Sequence, residues 1–269
     1  EDLSNNPIGN FQFSRQTPPL SDMDILALTP GNSKRQEMIS LYADIDGFTS
    51  YVADNIDENA EDVVRTLHVL RAEMERVVTS DFKGRRVRFI GDCIQALTCD
   101  GTAQNTDEEK SVSDATRLAG ALRSSFNLSI ERLKESDYET GSLGLAIGFD
   151  LGPIAVTRLG RKGDRVRCAI GRKVVESESR QCACKGDESA IGQAAYDAAS
   201  AAVQKLFGSR KKVANLNYVE ATEALADDGD DSAKQARAAA YTGTPSIIKS
   251  DERVVEPYMA LVIGERESR

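Results

Sequence analysis

Residues 38–50 read MISLYADIDGFTS, an apolar run that ends in two aspartates and a glycine. The apolar part is short, which predicts a buried strand over 38–44 with the Asp44 carboxylate at its exit. Gly47 allows the backbone to turn sharply just beyond it. Carboxylate oxygens are the ligands that Mg²⁺ prefers, so this strand end is a candidate cation site.

A second carboxylate, Asp92, also lies at a predicted strand end. Residues 85–90 and 93–98 flank the pair Gly91-Asp92, which is typical of a hairpin with Asp92 at its tight turn. A magnesium ion usually takes one or two carboxylates and completes its coordination with substrate phosphates and water. The two aspartates therefore suit a magnesium and triphosphate site. The alternative is that both are ordinary turn residues, and spacing alone does not exclude it.

The rest of the chain alternates between helical and strand-like patterns. Apolar residues at three-and-four spacing predict long helices over 57–80 and 115–133. The order strand, helix, hairpin, helix, hairpin predicts an α+β sandwich, an antiparallel sheet covered by helices. The other predicted elements are strands at 143–149 and 154–159 around Gly152-Pro153, helices at 174–184 and 187–207, a solvated acidic loop at 227–236 and a strand at 258–263.

Composition bounds the domain organisation. The 269 residues, 40% of them hydrophobic, suffice for one substantial domain. Residues 1–36 hold four of the seven prolines and several Asn and Ser. We therefore expect 1–36 to form an extended N-terminal arm with little core of its own, ahead of a catalytic domain over 37–269.

Charge and cysteine content disfavour several classes of protein. The formal net charge of −9 argues against a nucleic-acid partner, which needs a clustered positive face, but a small polyanionic ligand remains compatible. No apolar stretch approaches about 18 residues and no signal-peptide pattern is present, so we expect a cytoplasmic chain without a membrane partner. Five cysteines without a C-x-x-C pair, and a single histidine, His68, argue against structural zinc and a disulfide framework.

Four segments resemble class III adenylate and guanylate cyclases. Residues 44–49 match the family's Asp-Ile-x-Gly-Phe-Thr, and residues 88–92 are similar to its Lys-x-x-Gly-Asp hairpin. Residues 148–154 resemble Gly-Ile-x-x-Gly-Pro-Val, and residues 189–196 resemble a later helix entry. The resemblance covers roughly 38–207. It implies a ferredoxin-like core and a two-metal reaction that converts a nucleoside triphosphate into a 3′,5′-cyclic nucleotide and pyrophosphate.

The resemblance also implies roles for individual residues. Asp44 and Asp92, with the Ile45 carbonyl, would bind two Mg²⁺ or Mn²⁺ ions per site, and Phe48 and Thr49 would contact the substrate. In the family, the metal-binding residues face the base-reading and transition-state residues of a second chain. The implied assembly is therefore a homodimer with composite active sites at its interface.

The helix after Gly171 departs from the family pattern Gly-x-x-Val-Asn-x-Ala-x-Arg. Aligning Arg180 with the family's arginine puts Glu176 in the asparagine position, whereas aligning Gly171 puts Val175 there and shifts the arginine by one, so neither alignment keeps an asparagine. Arg180 is the candidate for stabilising transition-state charge, because a guanidinium pairs well with phosphoryl oxygens. The alternative is a salt bridge from Arg180 to Glu176, one turn away on a solvated helix face.

The base-reading positions favour a pyrimidine. Where adenylate cyclases of the family carry lysine and aspartate, this chain has Arg88 and Cys168. Arginine only donates hydrogen bonds, which suits the O2 and O4 of uracil, the O2 and N3 of cytosine, or the O6 and N7 of guanine, and disfavours adenine. These departures resemble the Pycsar pyrimidine cyclases of bacterial antiphage defence, which implies cyclic UMP or cyclic CMP as a second-messenger product. Uracil is favoured over cytosine because it presents two carbonyls to a donor-only arginine. Tyr51 would either shorten the base pocket or pack into the core.

Other functions stay open on the sequence alone. A purine cyclase, making cyclic GMP or cyclic AMP, would use the same metal positions. A catalytically inactive nucleotide-sensing module would share the fold, although the intact Asp44 and Asp92 count against it. A phosphate-ester hydrolase with the same metals is the third alternative, but the sequence offers no histidine-rich or further acidic cluster to activate water.

Overall fold

The strand that ends near Asp44 belongs to a large sheet with helices on both faces. The computed structural model describes residues 12–161 and 163–241, and the strand predicted at 258–263 lies outside them. The strands are β1 (Phe13–Arg15), β2 (Ser33–Asp46), β3 (Arg85–Ile90), β4 (Cys93–Thr98), β5 (Asp100–Gly101), β6 (Thr106–Asp107), β7 (Gly144–Leu159), β8 (Val166–Ile170), β9 (Glu188–Ile191) and β10 (Lys212–Ala214). The helices are α1 (Phe48–Arg76), α2 (Glu108–Glu135), α3 (Arg172–Cys182), α4 (Gln193–Ala198), α5 (Ala201–Phe207), α6 (Tyr218–Asp227) and α7 (Asp231–Tyr241).

The central four strands have a ferredoxin-like topology. The sheet order is β10-β9-β7-β2-β4-β3, with β1 paired to β2 and β8 paired to β7. Helix α1 joins β2 to β3 and α2 leads from β4 towards β7, so the core is a β-α-β-β-α-β unit. The predicted α+β sandwich is confirmed. The sheet is mixed rather than purely antiparallel, because β1 with β2 and β9 with β7 pair in parallel.

Alternation along β2 divides the core into two clusters, one on each face of the sheet. Ile39, Leu41 and Ile45 pack with apolar residues of α1, α2 and α6. Met38 and Tyr42 face the other way, towards the α3 side. Successive side chains of a strand point to opposite faces, and fully burying each large apolar side chain contributes about 1.5–3 kcal/mol.

Part of the N-terminal arm packs on the second face. Four apolar side chains in its short 3₁₀ turns are buried beside Tyr42: Leu20, Met23, Ile25 and Leu28. Arg85 donates hydrogen bonds to the carbonyls of Ser21 and Met23, and Arg158 donates to that of Leu26. The expectation that the arm has little core was wrong for residues 20–28, because their apolar side chains are spaced to face the sheet between turns.

Three other predicted elements differ from the structure. Gly152-Pro153 lies inside the single strand β7, where residues 150–154 fall between the part paired to β9 and the part paired to β8. A proline is tolerated where the strand edge has no partner. The start of the predicted helix 187–207 is strand β9, and the predicted loop 227–236 contains the start of α7. Within the described ranges, no helix is both long and apolar enough to cross a membrane.

Candidate active site

The two predicted metal-binding aspartates lie side by side. Ala43 of β2 pairs with Ile94 of β4, so Asp44 and Cys93 are the next neighbours outward, and Asp92 precedes Cys93 in the turn. Gly91 supports that turn with a left-handed backbone, φ 61°. Burial raises the pKa of Asp44, and burial together with the negative charge of Asp44 raises the pKa of Asp92. The two carboxylates therefore share one site.

The donor set of this site fits hard divalent cations. The Cys93 thiol and the Gln181 amide lie near enough to Asp44 to oppose the rise in its pKa, but no lysine or arginine of the described residues forms a salt bridge with Asp44 or Asp92. Nor do those residues contain a preformed group of three or more His, Cys, Asp or Glu ligands. Two oxygen ligands from the protein, completed by substrate phosphates, match the usual binding of magnesium. Ile45, whose carbonyl is the third predicted ligand, has a buried side chain at the end of β2.

Asp46, the third carboxylate of this region, is engaged elsewhere. Its Oδ2 accepts a hydrogen bond of 2.8 Å from the backbone N–H of Gly186. The Gly186 carbonyl in turn accepts from the Leu145 N–H and from the buried Arg123 guanidinium. Asp46 therefore ties the end of β2 to the loop before β9.

The first turn of α1 places the other predicted substrate-contacting residues. Phe48 is half-buried and Thr49 is exposed, directly after the turn at Gly47. Tyr51 is buried, its ring centroid is 6.0 Å from that of Phe48, and its hydroxyl lies 3.3 Å from the Thr66 Oγ1. In the single chain, Tyr51 therefore packs into the core, which is the second of its two predicted roles. Its contact with a base stays a prediction.

The base-reading candidate Arg88 belongs to a polar row across three strands. Arg88 pairs with Gln95 of β4, and Gln95 pairs with Tyr42 of β2. The Arg88 Nε donates to the Gln95 Oε1 at 3.2 Å, and the guanidinium lies near the Tyr42 hydroxyl. Burial raises the pKa of Tyr42 to about 12, with Glu178 adding to the shift and Arg88 opposing it. Sequence reasoning did not identify Tyr42, Gln95 or Glu178.

Cys168, the second base-reading candidate, lies on β8 close to β3. It pairs with Thr157 of β7 and is half-buried. The neighbouring Arg167 donates from Nη1 to the Arg86 carbonyl at 3.3 Å, which holds β8 against β3. The structure therefore brings together the two strands that carry Arg88 and Cys168.

Helix α3 bears on two open points, the alignment at Gly171 and the alternative of a salt bridge between Arg180 and Glu176. A Cβ on Gly171 would lie 2.7 Å from the Pro153 carbonyl oxygen, so the helix needs glycine at its start. This requirement favours the alignment anchored on Gly171, which puts Val175 in the family's asparagine position and leaves Arg180 one residue beyond the family's arginine position. Glu176 pairs with Lys173 at 2.5 Å, and Arg180 is exposed without an ion pair among the described residues. The alternative of a salt bridge between Arg180 and Glu176 was wrong.

Comparison with known proteins agrees with this geometry. No protein-family model matches the chain. It is 76% identical over 258 residues, 96% of its length, to the uridylate cyclase of Pseudomonas aeruginosa. It is 44% identical over 200 residues, 74% of its length, to the uridylate cyclase of a Rhizobium species. The chain spans 50% of the first protein's length and 38% of the second's.

Solved structures give the same family. One, described as a class III adenylyl cyclase-like ATP-binding protein from Pseudomonas aeruginosa, is 78% identical with a TM-score of 0.80, over 83% of this chain and 47% of that one. The adenylyl cyclase CyaB from P. aeruginosa, 22% identical, has a TM-score of 0.54 over 62% of this chain and 81% of its own, and supports the fold alone. By fold and by sequence, the chain belongs to the class III nucleotidyl cyclases.

Proposed function

We propose that the chain carries the catalytic domain, over 37–269, of a uridylate cyclase. It would convert UTP, with CTP second, into the 3′,5′-cyclic nucleotide and pyrophosphate. The observation that carries the proposal is the pair of Asp44 and Asp92 at adjoining strand ends, with Arg88 on the neighbouring strand where it would serve a partner chain's site, in a chain 76% identical to a uridylate cyclase. A second-messenger role in antiphage defence rests on the family resemblance and stays a prediction.

The carboxylates of Asp44 and Asp92, with the Ile45 carbonyl, are the groups that would hold two Mg²⁺ or Mn²⁺ ions. Such ions, when bound, lower the pKa of the ribose 3′-hydroxyl and offset charge on the pyrophosphate. The first turn of α1, at Phe48 and Thr49, follows β2 directly. Its unpaired N–H groups carry the positive end of the helix dipole, which suits the triphosphate. Arg180 would pair with the phosphoryl oxygens as charge builds up on them.

Base choice rests on the donors of Arg88. The guanidinium has only N–H donors, and uracil offers two carbonyl acceptors on its ring. Cys168 approaches from β8, the strand that Arg167 holds against β3. A specific observation favours a second candidate: the solved relative at 78% identity is described as ATP-binding. A purine cyclase, or an inactive nucleotide-binding module, is therefore the alternative to test.

The composite site of a homodimer is part of the proposal. Four exposed apolar side chains support it, since they lie on β8, on α3 and at the end of β3: Val166, Ile170, Val175 and Ile90. Arg180 is exposed on the same helix as Val175. Burying these side chains against a second chain would remove apolar surface from water and present Arg180 to the partner's metal site.

Incubation with the four nucleoside triphosphates at equal concentration tests the proposal. The protein is supplied with Mg²⁺ or Mn²⁺ and the products are separated and identified by mass. We expect cyclic UMP as the main product and cyclic CMP second, with Asp44→Asn as the inactive control. Dominant cyclic AMP or cyclic GMP would assign the chain to the purine cyclases. Nucleotide binding without any cyclic product would make it an inactive module.

A further inference from the structure

Gln95 is a buried amide in the middle of the polar row that it forms with Arg88 and Tyr42. It is fully buried in β4, two residues from Cys93 and two from Leu97, which belong to the core cluster on that face. Its Oε1 accepts from Arg88, but its Nε2 is buried without a hydrogen-bond partner among the described residues. An unpaired buried donor costs free energy, so a native protein that keeps one has a use for the side chain.

A β-bulge brings Arg88 to Gln95. Arg86 pairs with Ala96, and a regular ladder would then pair Val87 with Gln95 and Arg88 with Ile94. Ile94 belongs to the cluster that packs against α1 and α2, so a regular Arg88 would point into that core. The irregularity between Arg86 and Arg88 pairs Arg88 with Gln95 instead, on the face that carries Tyr42. Bulges commonly re-aim a side chain next to an active site.

From this arrangement we infer that Gln95 is a positioning residue for base selection, acting through Arg88. The inference rests on the proposed base-reading role of Arg88. Because a guanidinium only donates, Gln95 must turn its Oε1 towards the Arg88 Nε. This hydrogen bond fixes the Nε edge of the exposed Arg88 guanidinium. Tyr42 provides the second contact. The other N–H groups of the Arg88 guanidinium are then held in a fixed orientation, from which they can donate to the carbonyl oxygens of a uracil ring.

The first test replaces the amide by an apolar side chain of similar length. Gln95→Met should lower the ratio of cyclic UMP to the other cyclic nucleotides about fivefold in the four-nucleotide competition, which corresponds to about 1 kcal/mol. Gln36→Met is the matched control, since Gln36 is a buried glutamine of the neighbouring strand β2 that bonds to Cys99 rather than to an arginine. It should show a comparable change in thermal stability and an unchanged product ratio. Gln95→Glu, which can still accept from Arg88, should keep the selectivity.

A double-mutant cycle separates this inference from the proposed function. In an Arg88→Ala background, Gln95→Met should change the product ratio no further, because its effect passes through Arg88. If Arg88→Ala lowers selectivity and Gln95→Met alone does not, the positioning role is wrong and base reading by Arg88 stands. If Arg88→Ala itself leaves the product ratio unchanged, both base reading by Arg88 and the positioning role of Gln95 are wrong. If Gln95→Met does not fold, Gln95→Asn replaces it, because asparagine is shorter by one methylene and its amide is withdrawn from Arg88. An unchanged product ratio in Gln95→Asn would also overturn the inference.

Discussion

At the scale of single residues, the half-buried pair of Asp44 and Asp92 concentrates negative charge where water is scarce. Each carboxylate would be easier to bury if protonated, and each raises the cost of ionising the other. No basic side chain of the described residues forms a salt bridge with either. A divalent cation is the partner that satisfies both carboxylates at once, and the nucleotide phosphates can complete its coordination.

Replacing either of the two aspartates proposed to bind metal by asparagine should therefore abolish turnover in a folded protein. We expect Asp44→Asn and Asp92→Asn each to lower cyclic nucleotide formation more than about 100-fold, since losing even an outer-shell partner of a metal ligand costs about 10- to 100-fold. Mass spectrometry of the products measures turnover, and thermal unfolding checks that each variant is folded. Asp46→Asn is the control, because its side-chain oxygen can still accept from Gly186. Near-normal turnover by Asp44→Asn or Asp92→Asn would remove the site assignment.

Motifs in the sequence indicate the residues proposed for the site but not the residues that hold them in place. Asp44, Asp92 and Arg88 stand at fixed positions within short motifs, so the sequence alone makes them candidates. Gln95 could not be found in this way, because its pairing with Arg88 depends on a one-residue bulge in β3. Gln181 reaches Asp44 only because α3 packs across the sheet.

At the scale of elements, the contact between α3 and β7 controls where Arg180 stands. Gly148 of β7 lies directly under α3, and a Cβ there would meet the Gln181 backbone nitrogen and lie 2.6 Å from the Ser177 carbonyl oxygen. Ser177 also bonds to Ser40 of β2 through their hydroxyls at 2.9 Å. Because the obstructing atoms are backbone, the helix as a whole would have to move to make room.

Gly148→Ala should accordingly displace α3 and weaken catalysis. Overpacking of this kind costs about 1–3 kcal/mol in the free energy of unfolding, and turnover should fall with it because Gln181 and Arg180 shift together. Gly152→Ala is the matched control on the same strand, where the added Cβ would meet the Lys173 side chain at 2.5 Å. That conflict is with a side chain rather than with the helix backbone, so α3 can stay in place although the ion pair of Lys173 with Asp150 would be disturbed. Urea unfolding and turnover measure the effects, and equal losses in the two variants would contradict this account of α3.

A buried carboxylate on α2 should make stability depend on pH. Burial raises the pKa of Asp114 to about 6, with nearby Asp100 adding to the shift and Arg117, 2.5 Å away, opposing it. An unfolded aspartate titrates near 3.9, so between about pH 4 and pH 6 the folded state binds more protons. This group's contribution to stability is therefore present at low pH and declines as the pH rises through that window.

Asp114→Asn should remove that decline. The free energy of unfolding of the variant, relative to the unmodified protein, should rise by about 2 kcal/mol between pH 4 and pH 7. Urea unfolding across this range measures it. Glu131→Gln, an exposed carboxylate on the same helix, should run parallel to the unmodified protein. Parallel curves for Asp114→Asn as well would show that Asp114 is ionised in the folded state throughout.

The elements that sequence patterns predicted best are those whose signal is local. The hairpin over 85–90 and 93–98 has the predicted bounds, because its turn residues and apolar strands are contiguous. The strand β7 was predicted as two strands because Gly152-Pro153 usually marks a turn, and only the gap between its two edge partners permits a proline there. The helix was predicted to begin at residue 57, whereas α1 begins at Phe48, because residues 52–62 are mostly polar and the apolar repeat begins at Val63.

At the scale of the whole molecule, the single chain presents the parts of an active site in different directions. Asp44 and Asp92 sit half-buried at strand ends, whereas Arg180 is exposed on α3. Gln181, the next residue, lies near Asp44 of the same chain. Adjacent residues of a helix point about 100° apart, so Arg180 is directed away from the site that Gln181 supports. A second chain related by a two-fold axis would give each metal site an arginine from its partner.

Complementation between two inactive variants tests that assembly. Asp44→Asn lacks a proposed metal ligand and Arg180→Ala lacks the proposed transition-state guanidinium, so each homodimer should be inactive at both sites. After subunit exchange of an equal mixture, half of the dimers are mixed, and each mixed dimer has one site with both groups intact. We therefore expect recovery of about a quarter of the unmodified activity, measured as cyclic nucleotide formed per total protein. If Arg180 served the metal site of its own chain, each mixed dimer would contain two singly defective sites, and no activity would return although exchange had been verified by mass.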